Sequence, residues 1–258
     1  MKVVIFAGGI GSRITEESHL KPKPMIEIGG RPILWHIMKY YEAFGHNEFI
    51  ICLGYKGQVI KDYFINYFLH SSDFTVDLKT GEKIIHSTDS NSFKVTLIDT
   101  GLKTKTAGRL KRVQKYLNNE DFMLTYGDGV SDVDLNALLK FHKKHGKTAT
   151  LTTVKPPQTF GRISFNENGK IIHFKEKSQE DSIWINGGFF VLKPTVFDYL
   201  PNNADDVMWE EYPMDKLTHD GELYAFKHTG FWKCMDAMRD KIELDKLWKT
   251  KEAKWKIW

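Results

Sequence analysis

Hydrophobic and polar positions alternate between short apolar runs and longer amphipathic segments. Runs rich in β-branched and aromatic residues, typical of buried strands, occupy residues 3–6, 48–53, 94–99, 122–126 and 149–154. Apolar residues at helical spacing predict helices over 32–44, 58–68, 108–117 and 134–145. Strand and helix therefore alternate, which implies parallel strands joined by right-handed crossovers. We predict an α/β fold: a Rossmann-like three-layer sandwich with a mixed, mostly parallel central sheet.

Two stretches depart from this alternation. Residues 70–94 are polar and irregular, with a possible hairpin at Gly81, and we interpret them as an excursion from the main sheet. After about residue 150, Asn168-Gly169 predicts a hairpin between strands 161–165 and 170–174. Later elements are predicted as strands over 184–192 and 221–227 and helices over 194–200, 210–219 and 236–248. Because no low-complexity linker separates the parts, we predict a single domain over 1–258.

Composition limits the partners. The 258 residues carry a net charge of +4, which suits an anionic small molecule but is too weak and too dispersed to predict nucleic-acid binding. Two cysteines, Cys52 and Cys234, form neither a disulfide framework nor a CxxC metal site, and fit a reducing cytoplasm. The first apolar run is too short for a signal peptide, and no window approaches the ~20 apolar residues of a membrane span.

The end of the first strand is the strongest chemical signal. Its apolar run breaks into Ala7-Gly8-Gly9-Ile10-Gly11-Ser12-Arg13, and Lys21 and Lys23 follow. A glycine turn exposes backbone N–H groups, and nearby cations favour polyphosphate binding. A dinucleotide fingerprint is disfavoured because Ile14 stands at the third glycine position and no acidic residue ends the second strand. A Walker A sequence is absent.

These residues resemble a known signature. Residues 7–14 together with 23–32 are similar to the signature of the sugar-phosphate nucleotidyltransferases, which join a nucleoside triphosphate to a sugar 1-phosphate. Further family marks follow in order: Tyr126-Gly127-Asp128-Gly129, Phe174-Lys175-Glu176-Lys177 and Ile185-Asn186-Gly187-Gly188-Phe189. The resemblance covers essentially the whole chain. Its departures are mild and remove no functional group: Ser12, Ile14 and Ser178 stand where Thr, Leu and Pro are usual.

The resemblance carries expectations about substrates and assembly. It is closest to the branch that uses CTP and glucose 1-phosphate, through residues 106–113 and 230–232. It implies a nucleotide-binding half at about 1–150, a sugar-binding half at about 151–258, and a homo-oligomer, trimer or hexamer, without nucleic acid or membrane. The product would supply deoxysugars of surface polysaccharide. Transfer from UTP or dTTP to a sugar 1-phosphate remains the alternative within the family.

The chemistry needs positioning and positive charge rather than a general base. The attacking phosphate monoester is already anionic, with a second pKa of about 6, so cations and metal offset repulsion and leaving-group charge. We predict Arg13 at the β- and γ-phosphates and Lys23 at the α-phosphate, and we count Asp128 with these two as the catalytic residues. The predicted nucleotide-binding residues are Phe6, Ala7, Gly8, Gly9, Ile10, Gly11, Ser12, Arg13, Lys23, Thr104, Arg109 and Gly127.

The metal and sugar sites rest more heavily on the resemblance. Asp128 ends a strand and is predicted to bind Mg²⁺, with Asp236 as its partner; a turn-forming Asp and a helix N-cap are the structural alternatives. For the sugar phosphate the resemblance implies Glu176, Lys177, Asn186, Gly187, Gly188 and Trp232. A β-bulge at the two glycines and a core position for Trp232 are the alternatives.

Arg109 is the candidate for base choice. Cytosine N3 and O2 both accept hydrogen bonds, whereas N3 of uracil carries a hydrogen, so a guanidinium at this edge favours cytosine. A non-catalytic sugar-nucleotide-binding protein is disfavoured because the cationic and carboxylate positions are intact. A glycosyltransferase would need a metal-binding DxD sequence; residues 132–134 have that spelling but sit at a predicted helix start, as a cap.

Overall fold

The computed structural model describes residues 1–9, 21–88, 91–156, 162–175 and 183–258. Its strands are β1 (Lys2–Phe6), β2 (Glu27–Ile28), β3 (Arg31–Pro32), β4 (Glu48–Leu53), β5 (Ser72–Val76), β6 (Lys83–Thr88), β7 (Lys94–Asp99), β8 (Phe122–Tyr126), β9 (Gly129–Ser131), β10 (Ala149–Val154), β11 (Arg162–Phe165), β12 (Ile171–Lys175), β13 (Ile185–Leu192), β14 (Leu223–His228) and β15 (Trp232–Cys234). Its α-helices are α1 (Ile33–Ala43), α2 (Gly57–Ile65), α3 (Tyr67–His70), α4 (Thr106–Val113), α5 (Leu135–His145), α6 (Tyr212–His219) and α7 (Met238–Lys249).

Seven strands form the central sheet in the order β14-β10-β13-β8-β1-β4-β7. β1 pairs in parallel with β4 and β8, β4 with β7, and β10 with β14. Only β13 runs antiparallel to its two neighbours, β10 and β8. The predicted mixed, mostly parallel sheet is therefore confirmed. Strands from both sides of residue 150 share this sheet, and the assignment of one domain with two functional halves remains a prediction.

Alternation along the strands produces the three layers. Val3 and Ile5 of β1 pack into one core cluster, while Val4 and Phe6 pack into a second cluster on the opposite face. Successive side chains of a strand point to opposite faces, so an uninterrupted apolar run implies cover on both sides. Helix α1 belongs to the first cluster and α4 to the second. Among the described residues, no helix has the length and apolar content needed to cross a membrane.

Several local predictions need correction. Helix α4 begins at Thr106 rather than Gly108, so Gly108 lies inside the helix. Glycine is needed at this position because Asp205 packs closely: a Cβ on residue 108 would lie 2.4 Å from Asp205 Oδ1. The short helix predicted over 194–200 is present, as a 3-10 helix over Pro194–Tyr199. The Gly81 hairpin is present, as β5 paired with β6. The pairs β2–β3 and β9–β15 were not predicted, because strands of two or three residues carry no readable periodicity.

An aromatic cluster fastens the C-terminal segment to the β2–β3 hairpin. The buried ring of His36 donates from Nε2 to the Ile28 carbonyl at 2.8 Å and accepts at Nδ1 from the Trp255 indole at 3.3 Å. The Trp248 ring lies 4.6 Å from the same imidazole. Gly29 is left-handed, with φ of 58°, and a Cβ there would collide with Trp248. Helix α7, which begins just after Asp236, is thereby fixed against the first core cluster.

Candidate active site

A cavity of about 700 Å³ opens at the carboxyl ends of β1 and β8. In open α/β sheets this edge is where ligands bind, because loops and helix ends converge there. Ten predicted residues line it: Phe6, Ala7, Gly8, Gly9, Lys23, Thr104, Arg109, Gly127, Asp128 and Asp236. The sequence analysis missed the other lining residues, namely Pro24, Leu102, Lys103, Lys105, Thr106, Tyr126 and Met208.

Six predicted residues lie outside the described part of the chain. They are Ile10, Gly11, Ser12 and Arg13 of the glycine loop, and Glu176 and Lys177 of the sugar-phosphate site. Their predicted roles remain predictions.

Lys23 lies between two carboxylates at the floor of this cavity. Its Nζ is 2.6 Å from Asp128 Oδ2 and 2.5 Å from Asp236 Oδ1. Asp128 lies in the turn between β8 and β9, and Asp236 follows β15. The β9–β15 pair, which aligns Gly129 with Cys234, and a hydrogen bond from Met235 N to the Asp128 carbonyl bring the two carboxylates together. Residues more than a hundred positions apart thus form one charged group.

The electrostatics favour the ammonium form. Burial by itself lowers the pKa of Lys23, but the negative charge and hydrogen bond of Asp128 and the hydrogen bond of Asp236 outweigh it, and the pKa is raised above its ordinary value. Only 13% of the Lys23 side chain is exposed. The carboxylates of Asp128 and Asp236 already hold a cation between them. Such a pair of oxygen donors fits a hard divalent metal ion, which prefers oxygen ligands.

Cys234 belongs to the same group and was missed by the sequence analysis. Single ligand atoms of Asp128, Cys234 and Asp236 lie within 4.8 Å of one another. Burial, followed by the charge of Asp128, raises the pKa of the Cys234 thiol. No sequence pattern could have found this residue, because β15 ends at Cys234 and a strand of three residues carries no readable periodicity.

Arg109 lies beneath the glycine turn, where the structure gives its guanidinium definite partners. Nη1 donates to the Leu53 carbonyl at 2.9 Å and to Thr100 Oγ1 at 2.7 Å, and Nη2 donates to the Gly8 carbonyl at 3.0 Å. Only 4% of Arg109 is exposed. Three of its five N–H donors therefore tie together the ends of β1, β4 and β7. Contact with a base, through the remaining donors, stays a prediction.

Glycine is required where this guanidinium passes the backbone. A Cβ on Gly8 would lie 2.1 Å from Arg109 Nη1, and a Cβ on Gly54 would lie 2.5 Å from the Gly8 carbonyl oxygen. A Cβ on Gly127 would lie 2.9 Å from the Phe6 carbonyl oxygen. These close approaches explain the glycines at the strand ends without reference to a ligand. Around Gly9, by contrast, no atom of the described residues lies within 4 Å of the ideal Cβ, its chain neighbours aside.

Four of the predicted sugar residues, Asn186, Gly187, Gly188 and Trp232, form a wall next to Tyr126 and are not among the residues that line the cavity. Trp232 Nε1 donates to the Gly187 carbonyl at 2.8 Å, and Asn186 Nδ2 donates to the Tyr126 hydroxyl at 3.1 Å. Gly188 is left-handed, with φ of 74°. The pairing of β10 with β13 shifts register between Leu151 and Thr153, so a β-bulge is present at the two glycines. Tyr126 links this wall to the cavity.

Glu210 contacts Tyr126 beside this wall, and the sequence analysis did not predict it as a site residue. Its Oε1 accepts from the Tyr126 hydroxyl at 2.6 Å and its Oε2 from Thr106 Oγ1 at 2.8 Å. The DxD sequence at residues 132–134, in contrast, has a structural role. Asp134 caps α5 by accepting from Ala137 N, and Asp132 lies 2.9 Å from His228 Nε2.

Comparison with known proteins identifies the family. Residues 2–243 match the family model described as Nucleotidyl transferase. The chain is 51% identical over 259 aligned residues, covering all of both chains, to a glucose-1-phosphate cytidylyltransferase of Salmonella typhi. It is 43% identical, again over the full length of both, to a probable glucose-1-phosphate cytidylyltransferase of Bacillus subtilis.

Solved structures agree on the fold. HddC from Yersinia pseudotuberculosis superposes with a TM-score of 0.70 at 23% identity, covering 96% of this chain and 99% of the other. This likeness bears on architecture alone. Taken with the full-length sequence match, it means that the chain belongs to the nucleotidyl transferase family.

Proposed function

We propose that this chain is a glucose-1-phosphate cytidylyltransferase, which converts CTP and α-D-glucose 1-phosphate into CDP-glucose and pyrophosphate. The observation that carries the proposal is the Lys23–Asp128–Asp236 group at the floor of a strand-end cavity bordered by Gly8 and Gly9. Full-length identity of 51% to a cytidylyltransferase supports the choice of substrates.

The reaction follows from the charges at this site. An oxygen of the sugar phosphate attacks the α-phosphorus of CTP, the bond between that phosphorus and the bridging oxygen breaks, and pyrophosphate leaves with the electron pair. Two anions must approach each other, so the first task of the site is charge compensation. The ammonium of Lys23 supplies it at the α-phosphate, since a lysine side chain, with an ordinary pKa of about 10.4, is protonated at neutral pH.

Mg²⁺ is proposed as the cofactor, held by Asp128 and Asp236. Bound there, it would neutralise phosphate charge and assist the departure of pyrophosphate. Arg13 remains the proposed partner of the β- and γ-phosphates. Lys177 and Glu176 remain the proposed partners of the sugar phosphate and of the sugar hydroxyls.

A nucleotide panel tests the reaction. We expect pyrophosphate release from CTP with glucose 1-phosphate to exceed release from UTP, dTTP, ATP or GTP by at least about tenfold, and mass spectrometry to identify CDP-glucose. Equal or greater use of UTP or dTTP would assign the chain to the neighbouring branches. The ratio of kcat/KM for CTP to that for UTP should fall in Arg109→Lys if Arg109 reads the base, and this ratio is insensitive to the fraction of folded enzyme.

Assembly is a second proposal. We propose a homo-oligomer, trimer or hexamer, with the β5–β6 hairpin as a contact, because this hairpin exposes Phe74 and Ile85, which face each other across the strands. Light scattering on Phe74→Ser should show a smaller particle than wild type. Ile242→Ser, at an exposed position of α7, should leave the mass unchanged.

Location and pathway are the remaining proposals. The unpaired thiols of Cys52 and Cys234 support a cytoplasmic location. A role in supplying deoxysugars of surface polysaccharide follows from the proposed product. Deletion of the gene, with loss of CDP-glucose from cell extracts, would test both the product and its source.

A further inference from the structure

A directed chain of hydrogen bonds runs along the wall between the nucleotide side and the sugar side. Gly188 N donates to Asn186 Oδ1 at 2.8 Å, Asn186 Nδ2 donates to the Tyr126 hydroxyl oxygen at 3.1 Å, and the Tyr126 hydroxyl donates to Glu210 Oε1 at 2.6 Å. Each link fixes the direction of the next. Because Gly188 N can only donate, the amide oxygen of Asn186 faces it, and the amide nitrogen faces Tyr126.

The hydroxyl of Tyr126 has one hydrogen, and that hydrogen must find an acceptor. The hydroxyl oxygen receives Asn186 Nδ2, so its own hydrogen points to Glu210. An acceptor at position 210 therefore fixes the direction of the Tyr126 hydroxyl and keeps its oxygen available to Asn186 Nδ2, the second contact that holds the amide beside the one from Gly188 N.

The second carboxylate oxygen of Glu210 is also occupied as an acceptor. Oε2 receives the hydroxyl of Thr106 at 2.8 Å, and Thr106 Oγ1 in turn receives Trp209 N at 2.7 Å. Trp209 is fully buried in the second core cluster, so the turn that carries Glu210 is anchored. Both oxygens of Glu210 must accept, which a carboxylate can do and a carboxamide cannot, since glutamine has a single acceptor oxygen.

We propose that Glu210 is a positioning residue for sugar recognition, and that its carboxylate orients Tyr126 and, through it, the amide of Asn186 toward a sugar hydroxyl. The proposal rests on the proposed function, since it assumes that Asn186 faces the sugar. The second N–H of the Asn186 amide donates to one hydroxyl oxygen of glucose 1-phosphate. Loss of the carboxylate lets the Tyr126 hydroxyl turn its hydrogen toward Asn186 Nδ2, so the amide keeps only its contact with Gly188 N, and recognition of that sugar hydroxyl weakens.

Steady-state kinetics of Glu210→Gln test the proposal, with Glu211→Gln as the matched control. Glu211 is the adjacent, exposed residue, and the same charge is removed. The KM for glucose 1-phosphate should rise roughly 5- to 10-fold in Glu210→Gln, as expected for one hydrogen bond, while the KM for CTP changes less than about twofold. Glu211→Gln should match wild type in both.

Deoxy analogues give the sharper readout. Across 2-, 3-, 4- and 6-deoxyglucose 1-phosphate, wild type should discriminate against the analogue that lacks the hydroxyl bound by Asn186. That discrimination should shrink by the same roughly 5- to 10-fold in Glu210→Gln. Tyr126→Phe should produce the same selective loss, and the double variant should lose no more than Tyr126→Phe alone, because the link is already cut.

Distinct outcomes separate the two hypotheses. If wild type makes no CDP-glucose, the proposed function fails. If wild type is active but Glu210→Gln lowers kcat/KM equally for every analogue and both substrates, Glu210 has only a structural role and the inference is overturned. If Glu210→Gln does not fold, Tyr126→Phe carries the test, and unchanged discrimination in that variant also overturns it.

Discussion

Two cations, the buried Arg109 and the partly buried Lys23, lie at the same edge of the sheet, and their partners differ in kind. Arg109 donates to the carbonyls of Leu53 and Gly8 and to the hydroxyl of Thr100, none of which carries charge. Lys23 lies against the carboxylates of Asp128 and Asp236. Burial lowers the pKa of Arg109, whereas the pKa of Lys23 is raised because carboxylate attraction exceeds the cost of burial.

The difference separates a fixed charge from an exchangeable one. Backbone carbonyls cannot leave, so Arg109 is held in place and keeps its full charge beneath the glycine turn. Carboxylates can pair with any cation, so a metal ion that takes Asp128 and Asp236 would release Lys23 to a phosphate. Partner type thus predicts which cation supports the fold and which acts in the reaction.

Removal of the exchangeable charge should have the largest effect. In Lys23→Met, turnover should fall about 10²- to 10³-fold, as for loss of a charge-stabilising donor in other enzymes. The variant without nucleotide should nevertheless bind Mn²⁺ more tightly than wild type, since no ammonium competes for the carboxylates. Isothermal titration calorimetry or electron paramagnetic resonance of Mn²⁺ measures this affinity directly.

Lys21→Met is the matched control for that experiment. Lys21 pairs with Glu27 at the surface, where 46% of each side chain is exposed. Turnover and Mn²⁺ affinity of this variant should stay within about twofold of wild type, as expected for a surface pair. Mn²⁺ affinity in Lys23→Met equal to or below that of wild type would show that Lys23 and the metal do not share the carboxylates.

Weakening the fixed charge should act on stability first. Arg109→Lys keeps the charge but cannot reach all three acceptors, so we expect a loss of about 3 kcal/mol in the free energy of unfolding. Arg112→Lys, one turn further along α4, should cost less than about 1 kcal/mol, because its ion pair with Asp205 is largely solvated. Urea unfolding of both variants makes the measurement, and equal losses would contradict a special role for Arg109.

The sequence predicted what local patterns encode. Alternation and apolar runs located the seven strands of the sheet, and the strand-end rule placed Gly8, Asp128 and their neighbours at one edge. Helix α5 was predicted from its spacing together with Asp134 at its start and Gly146 at its end, and both caps are present. These features depend on positions close together in the chain.

The rest depends on contacts between distant positions. Glu210 was predicted as the first residue of a helix but lies in the turn before it, and it meets Tyr126 across 84 positions. The partners of Arg109 are two backbone carbonyls and the Thr100 hydroxyl, at three separate strand ends, which no local pattern along the chain reveals. Asp236 could be paired with Asp128 only through family resemblance, because the short β9–β15 pair that joins them has no readable period.

Two adjacent glycines test the fixed cation more finely. A Cβ on Gly8 would overlap the Arg109 guanidinium, whereas a Cβ on Gly9 would meet no atom within 4 Å in the part of the chain that the structure describes. Neither residue has a positive φ, so backbone strain does not enter. Gly8→Ala should lower the free energy of unfolding by about 2 kcal/mol through overpacking, and Gly9→Ala should change it by less than about 0.5 kcal/mol. A reversed order would mean that Arg109 relocates easily.

The smallest expected effect concerns the imidazole of His36, which is buried without a carboxylate partner. His36 is fully buried, and burial lowers its pKa to about 4, because its hydrogen-bond partners are a carbonyl and an indole rather than a carboxylate. The unfolded chain binds the proton near the ordinary value of about 6.5, so folding stability is complete above that pH and declines as pH falls toward 4. Between pH 7 and pH 5 the loss should be roughly 1–2 kcal/mol. His36→Gln, which cannot titrate, should show a smaller loss of stability in urea unfolding. If the free energy of unfolding fell equally with pH in both proteins, His36 would become protonated in the folded state at no cost. That result would contradict the conclusion that a buried cation in this protein needs a partner.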